Sequence, residues 1–230
     1  MSDWIDLLDG TSLAGWEFRT RRDGAWIPAT EHLWSVVGGA SIAAADRRAL
    51  DLAPGAGILA NGATGRTSDI RTIAEFGSCE LHVEFLIPER SNSGVYLQGQ
   101  YEIQIVDSAA VPDRQLRSGS CGGIYGRWVD EIKHPYDGHP PRVNASGKPG
   151  DWQSFDVTFH APKFDAAGRR VAGARFARML HNGVLIHQDV VCTGPTRGSW
   201  KSHDIALGPL RLQGDHGPVA FRNIRLRPLD

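Results

Sequence analysis

Glu102 and Asp107 stand at the two ends of the run Glu102-Ile103-Gln104-Ile105-Val106-Asp107, with Gln104 between them. Two carboxyl groups on one surface are the minimum equipment for acid/base work at an acetal carbon. A regular strand presents every second side chain to the same face, so Glu102 and Gln104 look the same way. Asp107 joins them only if a β-bulge near Val106 turns it over. The run before it, Asn92 to Gln98, offers Tyr96 and Gln98 to that face and sends Val95 and Leu97 to the other, where Ile103 and Ile105 are their counterparts. Leu97 and Ile103 must share a face for the apolar sets to match, which demands an odd loop, Gly99-Gln100-Tyr101. The polar side of this hairpin is where a ligand the size of a sugar could be read.

A second constellation lies in residues 210–229, LRLQGDHGPVAFRNIRLRPL. Asp215-His216-Gly217 reads as a turn between two strands, and a histidine at a strand end, poised near neutral pH, could carry a proton or ligate a metal. Arg222 alternates with Phe221 and Asn223; if it faces inward it needs a carboxylate partner, with Glu102 or Glu84 available. His82 and Glu84, two apart in one strand, share a face and together with Glu102 are candidates for an oxygen-and-imidazole divalent metal site. Trp128 and Trp152 border a long loop and could form a stacking wall for a sugar ring, whereas Trp16 and Trp34 read as core. GSCGGIYG superficially suggests a phosphate loop, but it lacks the Gly-Lys-Ser/Thr ending and no helix follows.

The elements that must hold these residues are almost all strands. Strand-like runs occur at Leu33 to Val37, Glu80 to Ile87, Val95 to Gln98, Glu102 to Val106, Gln153 to His160, Arg175 to His181, Val184 to Val191, Leu210 to Gln213 and Val219 to Leu226. Asn182-Gly183 is a type I′ turn signal between two of them. Residues 43–53, AAADRRALDLA, could form a short helix. Many short strands and 27 glycines argue for an all-β chain, an antiparallel β-sandwich or jelly roll, and no linker divides it, so residues 1–230 are expected to form one domain. Residues 108–151 are polar and rich in glycine and proline; a long irregular insert leaving the polar hairpin is expected to be a lid or site wall.

Composition excludes several classes. With 230 residues, 41% of them hydrophobic, the chain can bury a substantial core. A net charge of -1 without a basic stripe argues against nucleic acid, and no run is long and apolar enough to cross a membrane. Cys79, Cys121 and Cys192 are widely spaced and odd in number, which fits core thiols in a reducing compartment. The start, MSDWIDLLDG, has neither a basic n-region nor an apolar h-region, so a cytoplasmic location is expected.

Several motifs occur together and in order: Leu7-Leu8-Asp9-Gly10 with Leu13 and Gly15-Trp16, then Asn92-Ser93-Gly94-Val95, Tyr101-Glu102-Ile103-Gln104-Ile105 with Asp107, Gly122-Gly123-Ile124-Tyr125-Gly126, Asn182-Gly183, and Leu212-Gln213 through Asp215-His216-Gly217 to Phe221-Arg222-Asn223-Ile224. In this order they resemble the "LFDG…L.GW", "NSG", "YE.Q..D", "G.lYg", "NG" and "LQ.H…FRNI" elements of the 3-keto-disaccharide hydrolase domain family, which has a concanavalin A-like lectin/glucanase sandwich. The resemblance implies an enzyme that cleaves glycosides already oxidised to a ketone at sugar C3, by hydrolysis or 1,2-elimination. The ketone acidifies the C2 proton, a base removes it, and the C1 substituent leaves. On that reading Glu102 or Asp107 is the base or acid and His216 the proton-transfer partner. Arg222, Gln104 and Asn92 hold the ketone and hydroxyls, Tyr125 lines the pocket, and a divalent metal could take over the donor role of Arg222. Many relatives carry an export signal, whereas none is expected here, and the chain also carries TGPTRGSWKSHDIALG at 193–208, where substrate choice could reside. Two alternatives stay open. One is a conventional retaining glycosidase, since Glu-x-Gln-x-x-Asp echoes the glucanase pattern Glu-x-Asp-x-x-Glu; the other is a non-catalytic carbohydrate-binding domain.

Overall fold

The structure is a computed structural model that describes residues 3–19, 24–29 and 34–229. Sixteen strands run through the described residues: β1 (Ile5–Asp6), β2 (Trp16–Arg19), β3 (Trp26–Pro28), β4 (Ser35–Ile42), β5 (Leu50–Ala60), β6 (Ile70–Phe76), β7 (Cys79–Leu86), β8 (Asn92–Leu97), β9 (Tyr101–Val106), β10 (Gln153–His160), β11 (Lys163–Phe164), β12 (Arg170–Ala172), β13 (Arg175–His181), β14 (Val184–Val191), β15 (Gly208–Leu212) and β16 (Ala220–Pro228). They form an eight-stranded sheet in the order β14-β13-β10-β7-β16-β5-β4 with β1 on β16, a six-stranded sheet in the order β3-β2-β6-β15-β8-β9, and the small β11-β12 pair. All named pairings are antiparallel, as expected for a sandwich.

Alternation explains how the two large sheets close on each other. In β7 the residues Cys79, Leu81, Val83 and Phe85 are buried while Glu80, His82 and Glu84 point outward; β10 repeats the pattern with Phe155, Val157 and Phe159. Tyr101 of β9 meets Phe159 of β10 at 5.5 Å between ring centroids, so an aromatic pair joins the sheets directly behind the polar hairpin. Each fully buried side chain of this size contributes roughly 1.5–3 kcal/mol on leaving water. The three cysteines are buried and unpaired.

The β8-β9 loop has the expected odd length but sits one residue earlier than expected. Leu97 pairs with Tyr101 and Val95 with Ile103, so the loop is Gln98-Gly99-Gln100. Gln98 and Gly99 both take left-handed backbone (φ 54° and 64°), which lifts Gln98 out of the strand. The type I′ turn is present, with Asn182 and Gly183 at φ 51° and 79° between His181 and Val184. The helix expected over 43–53 does not form. Asp46 accepts the backbone N–H of Arg48 (2.9 Å), its carbonyl accepts that of Ala49 (2.9 Å), and the chain turns there into β5. Leu33, in the first expected strand, lies outside the described residues, and that strand runs Ser35–Ile42. Among the described residues no helix is long and apolar enough to cross a membrane.

Candidate active site

A cross-strand row builds the floor of the site. Arg211 of β15 pairs with Tyr96 of β8, and Tyr96 pairs with Glu102 of β9, so guanidinium, phenol and carboxyl lie side by side on the outer face of the six-stranded sheet. The Arg211 guanidinium lies 3.8 Å from the centre of the Tyr96 ring, and Tyr96 stands directly beside Glu102 across the β8-β9 pair. Arg211 is held from behind by Asp69 (3.2 Å) and by the Gly198 carbonyl (2.6 Å). Asp69 in turn accepts the Gly214 N–H at 3.0 Å. Glu102 lies across Gly94, where an added Cβ would come within 2.5 Å of its Oε1. Only glycine leaves the carboxyl this room.

Along this row the outer face is shielded from bulk water, because two segments roof it. Residues 108–151 return along β9: Ile124 bridges Ile103, Gln104 donates its N–H to Gly123 (2.9 Å), and Tyr125 donates to the Glu102 carbonyl (3.0 Å). Residues 193–208 close the other side. Thr196 accepts the Glu102 N–H (3.0 Å), and Arg197 donates its N–H to Gly126 (2.8 Å), tying the two roof segments together. Glu102 is left only 3% exposed, and burial pushes its carboxyl up to about 8. The neighbouring carboxylates Asp69 and Asp215 act in the same direction, while Tyr96 and Arg211 oppose it. Titration near neutrality suits a general acid or base.

What remains open is a cavity of about 210 Å³ lined by Asn92, Tyr96, Glu102, Gln104, Tyr125, Arg197, Gly198, Gln213 and His216. The side-chain oxygens Oε1 of Gln104 and Gln213 are buried with no hydrogen-bond partner among the described residues. Buried acceptors of this kind are costly unless a ligand supplies the donor, and sugar hydroxyls are donors of the right kind. At the mouth, His216 is held through Nδ1 by Asp215, which leaves Nε2 for a ligand. Arg197 stacks on Trp128 at 3.9 Å, so Trp128 serves as a platform for that guanidinium.

Six of the residues singled out in the sequence therefore meet in one cleft: Asn92, Tyr96, Glu102, Gln104, Tyr125 and His216. The others do not. Asp107 is a correction: β8 and β9 pair without a register shift from Leu97↔Tyr101 to Asn92↔Val106, so there is no bulge to turn it over. Its carboxylate instead accepts the Arg90 N–H at 3.1 Å and closes the end of the hairpin. Gln98, displaced by its left-handed backbone, donates to the carbonyls of Phe76 and Ala206. Arg222 and Trp152 lie on the other sheet, where Arg222 bonds Glu84 (2.6 Å) and stacks on Trp152 (4.1 Å). His82 and Glu84 share that outer face, with the His82 ring on Asp156 at 2.6 Å, so they cannot join Glu102 around one ion. No group of three or more potential metal ligands converges among the described residues. Reading strand by strand missed Arg197, Arg211 with Asp69, and the placement of Gln213. The insert at 193–208 was the one signal for Arg197.

An antiparallel jelly roll with an amide-lined cleft over a buried carboxyl has the build of a carbohydrate-active protein. The chain belongs to the 3-keto-alpha-glucoside-1,2-lyase-like domain family, whose pattern matches residues 3–227. Its structure resembles a "putative glycosyl hydrolase" of Parabacteroides distasonis, with 28% identity and a TM-score of 0.67, covering 99% of this chain and 84% of that one. A second protein described in the same words from that organism has the same fold, at 16% identity and a TM-score of 0.57, covering 99% of this chain and 94% of that one. No curated protein matches the sequence.

Proposed function

We propose that this cleft cleaves 3-keto-glycosides by removing the C2 proton beside the C3 ketone, with Glu102 as the base. The observation that carries the proposal is the solitary carboxyl: among the described residues lining the cleft, Glu102 is the only carboxylic acid. A retaining glycosidase working on an unoxidised sugar needs two carboxyl groups about 5–5.5 Å apart, one as nucleophile and one as acid. Proton abstraction next to a ketone needs one base, donors for the enolate oxygen, and a proton for the leaving group. Glu102 takes the proton from C2, and the C–H electron pair moves into an enolate on the C3 oxygen. The Arg197 guanidinium is the donor at hand for that oxygen. When the enolate collapses, C1=C2 forms, the C1–O bond breaks, and the departing alkoxide takes a proton from protonated His216. The products are an unsaturated ketone and the free alcohol, and later addition of water to the former makes the net result a hydrolysis. Gln104 and Gln213 accept from the hydroxyls of the bound sugar.

The test offers purified protein 3-keto-glucosides and the parent glucosides in parallel, each with and without a chelator. Deuterium at C2 of the keto substrate should slow turnover and be lost from the product. Cleavage of the parent sugars alone would overturn the proposal, and binding of both without turnover would favour the carbohydrate-binding alternative. Loss of activity with chelator would mean that a divalent ion stabilises the enolate.

A further inference from the structure

A second cleft, of about 380 Å³, begins where the first one ends. Its lining includes Asp46, Arg48, Arg66, Glu89, Arg90 and His216, so the two share His216. The walls are fixed in place. Gly65 sits so close to Gly217 that an added Cβ would meet its carbonyl carbon at 2.3 Å. Asn61 donates to the carbonyls of Gly214 (3.0 Å) and Gly217 (2.9 Å), and the Ser91 hydroxyl donates to that of Pro218 (2.7 Å). The turn carrying His216 is thereby pinned between the clefts.

The two clefts differ in chemistry. The first carries the amide side chains of Asn92, Gln104 and Gln213 with one arginine, Arg197; the second is lined by the arginines Arg48 and Arg90, with Arg66 beside them, and by the acids Asp46 and Glu89. Arg66 and Arg90 project from left-handed backbone, at φ 62° and 58°, a conformation that costs a non-glycine residue roughly 1 kcal/mol or more. One of the two carboxylates lining this cleft is taken by a cation outside it. Glu89 is bound by Arg47, and Asp46 accepts the Arg48 backbone N–H; nearby Asp107 accepts that of Arg90. Arginine forks match planar or tetrahedral oxyanions, whereas neutral polyols are read by amides.

We propose that this arginine-rimmed cleft is the subsite for the leaving group, and that it selects glycosides whose aglycone carries an oxyanion, a carboxylate or a phosphate. The inference rests on the reading of His216 as the donor to the leaving alkoxide: the group that departs must lie beside His216, and the second cleft opens there.

The test compares 3-keto-glucosides of phenol, of 4-hydroxybenzoate and of 4-hydroxyphenyl phosphate. At low salt, kcat/KM for at least one anionic substrate should exceed that for the neutral one about tenfold or more, and the ratio should contract as salt is raised. The larger of the two anionic ratios identifies the oxyanion. The double variant Arg48→Gln/Arg90→Gln should bring the ratio close to one. Equal kcat/KM for all three substrates, or a ratio unchanged in the variant, would overturn the subsite. If none of the three is cleaved, the keto-glycoside reading fails and the subsite is judged by binding. Titrations of 4-hydroxybenzoate and phenyl phosphate against phenol, followed by NMR, then decide: anion-selective binding that disappears in the double variant sustains it, and its absence removes it.

Discussion

Two outer sheet faces of this protein carry nearly the same residue types in the same alternation and do opposite things with them. On the eight-stranded sheet, β7 and β16 place Arg222 opposite Glu84, and Arg227 bonds Glu80 at 2.8 Å from its Nε. His82 meets Asp156 of β10. Every one of these side chains has a polar or charged partner and stands near solvent. On the six-stranded sheet the row Arg211–Tyr96–Glu102 is roofed by two loop segments, and the one cation in the row is committed to Asp69. Glu102 is left beside a phenol, and among the described residues the side-chain oxygen of Gln104 has no partner. Partnered charges at a surface stabilise little and do little. A carboxyl buried without a counter-ion is destabilising unless it is protonated, and it is kept where its chemistry is used.

The contrast breaks hardest at Glu102. Glu102→Gln should lower kcat/KM on a 3-keto-glucoside by about 10³-fold, as removal of a general base does. It should also change the pH dependence of stability. The folded carboxyl at about 8 lies above its ordinary value of 4.5, so its contribution to stability is complete below pH 4.5 and is lost as pH rises through 8. Wild type should therefore lose melting temperature between pH 5 and pH 9 relative to Glu102→Gln, which calorimetry would read; parallel curves would mean the carboxyl is not strained by burial. Next in size, Gly94→Ala should cost about 10- to 100-fold in activity, because its Cβ displaces the carboxyl from its seat, with the circular dichroism of the native sheet retained. Tyr96→Phe should act more gently. Removing the hydroxyl that lowers the Glu102 value moves the rising limb of the pH–kcat/KM profile to more alkaline pH, and an unmoved limb would detach that limb from Glu102. The smallest effect belongs to the other face: Glu84→Gln should change stability by about 1 kcal/mol or less and leave turnover within about twofold.

The alternation in β8 and β9 was enough to put Tyr96, Glu102 and Gln104 on one polar face, and loop parity followed from the apolar set. What alternation cannot say is which of two sheets a face belongs to. Arg222, Glu84, His82 and Trp152 read as equally good site residues for that reason, although they lie on the far side of the sandwich. Asp107 depended on a bulge, a feature of local pairing that a single strand does not announce. The Arg211–Asp69 pair joins residues more than a hundred positions apart in the chain, and Arg197 is brought in through distant partners in the other roof segment, Gly126 and Trp128; no local pattern encodes those. The alanine-rich run 43–53 suggests a helix, yet its last residues begin β5, which holds Pro54, Gly55 and Gly57 and pairs with β4 through a register shift.

Residues 108–151 have a second consequence. β9 is the last strand of its sheet, and a free edge strand with apolar neighbours invites pairing with another chain. The same main-chain bonds that shape the cleft, from Gly122, Gly123 and Tyr125 to Glu102 and Gln104, occupy that edge. The pocket wall is therefore also a guard against edge-to-edge aggregation. Specificity in this fold can be retuned by side chains along the loop far more safely than by shortening it, and loop grafts that break the Ile103–Ile124 bridge should fail first by precipitation rather than by loss of turnover.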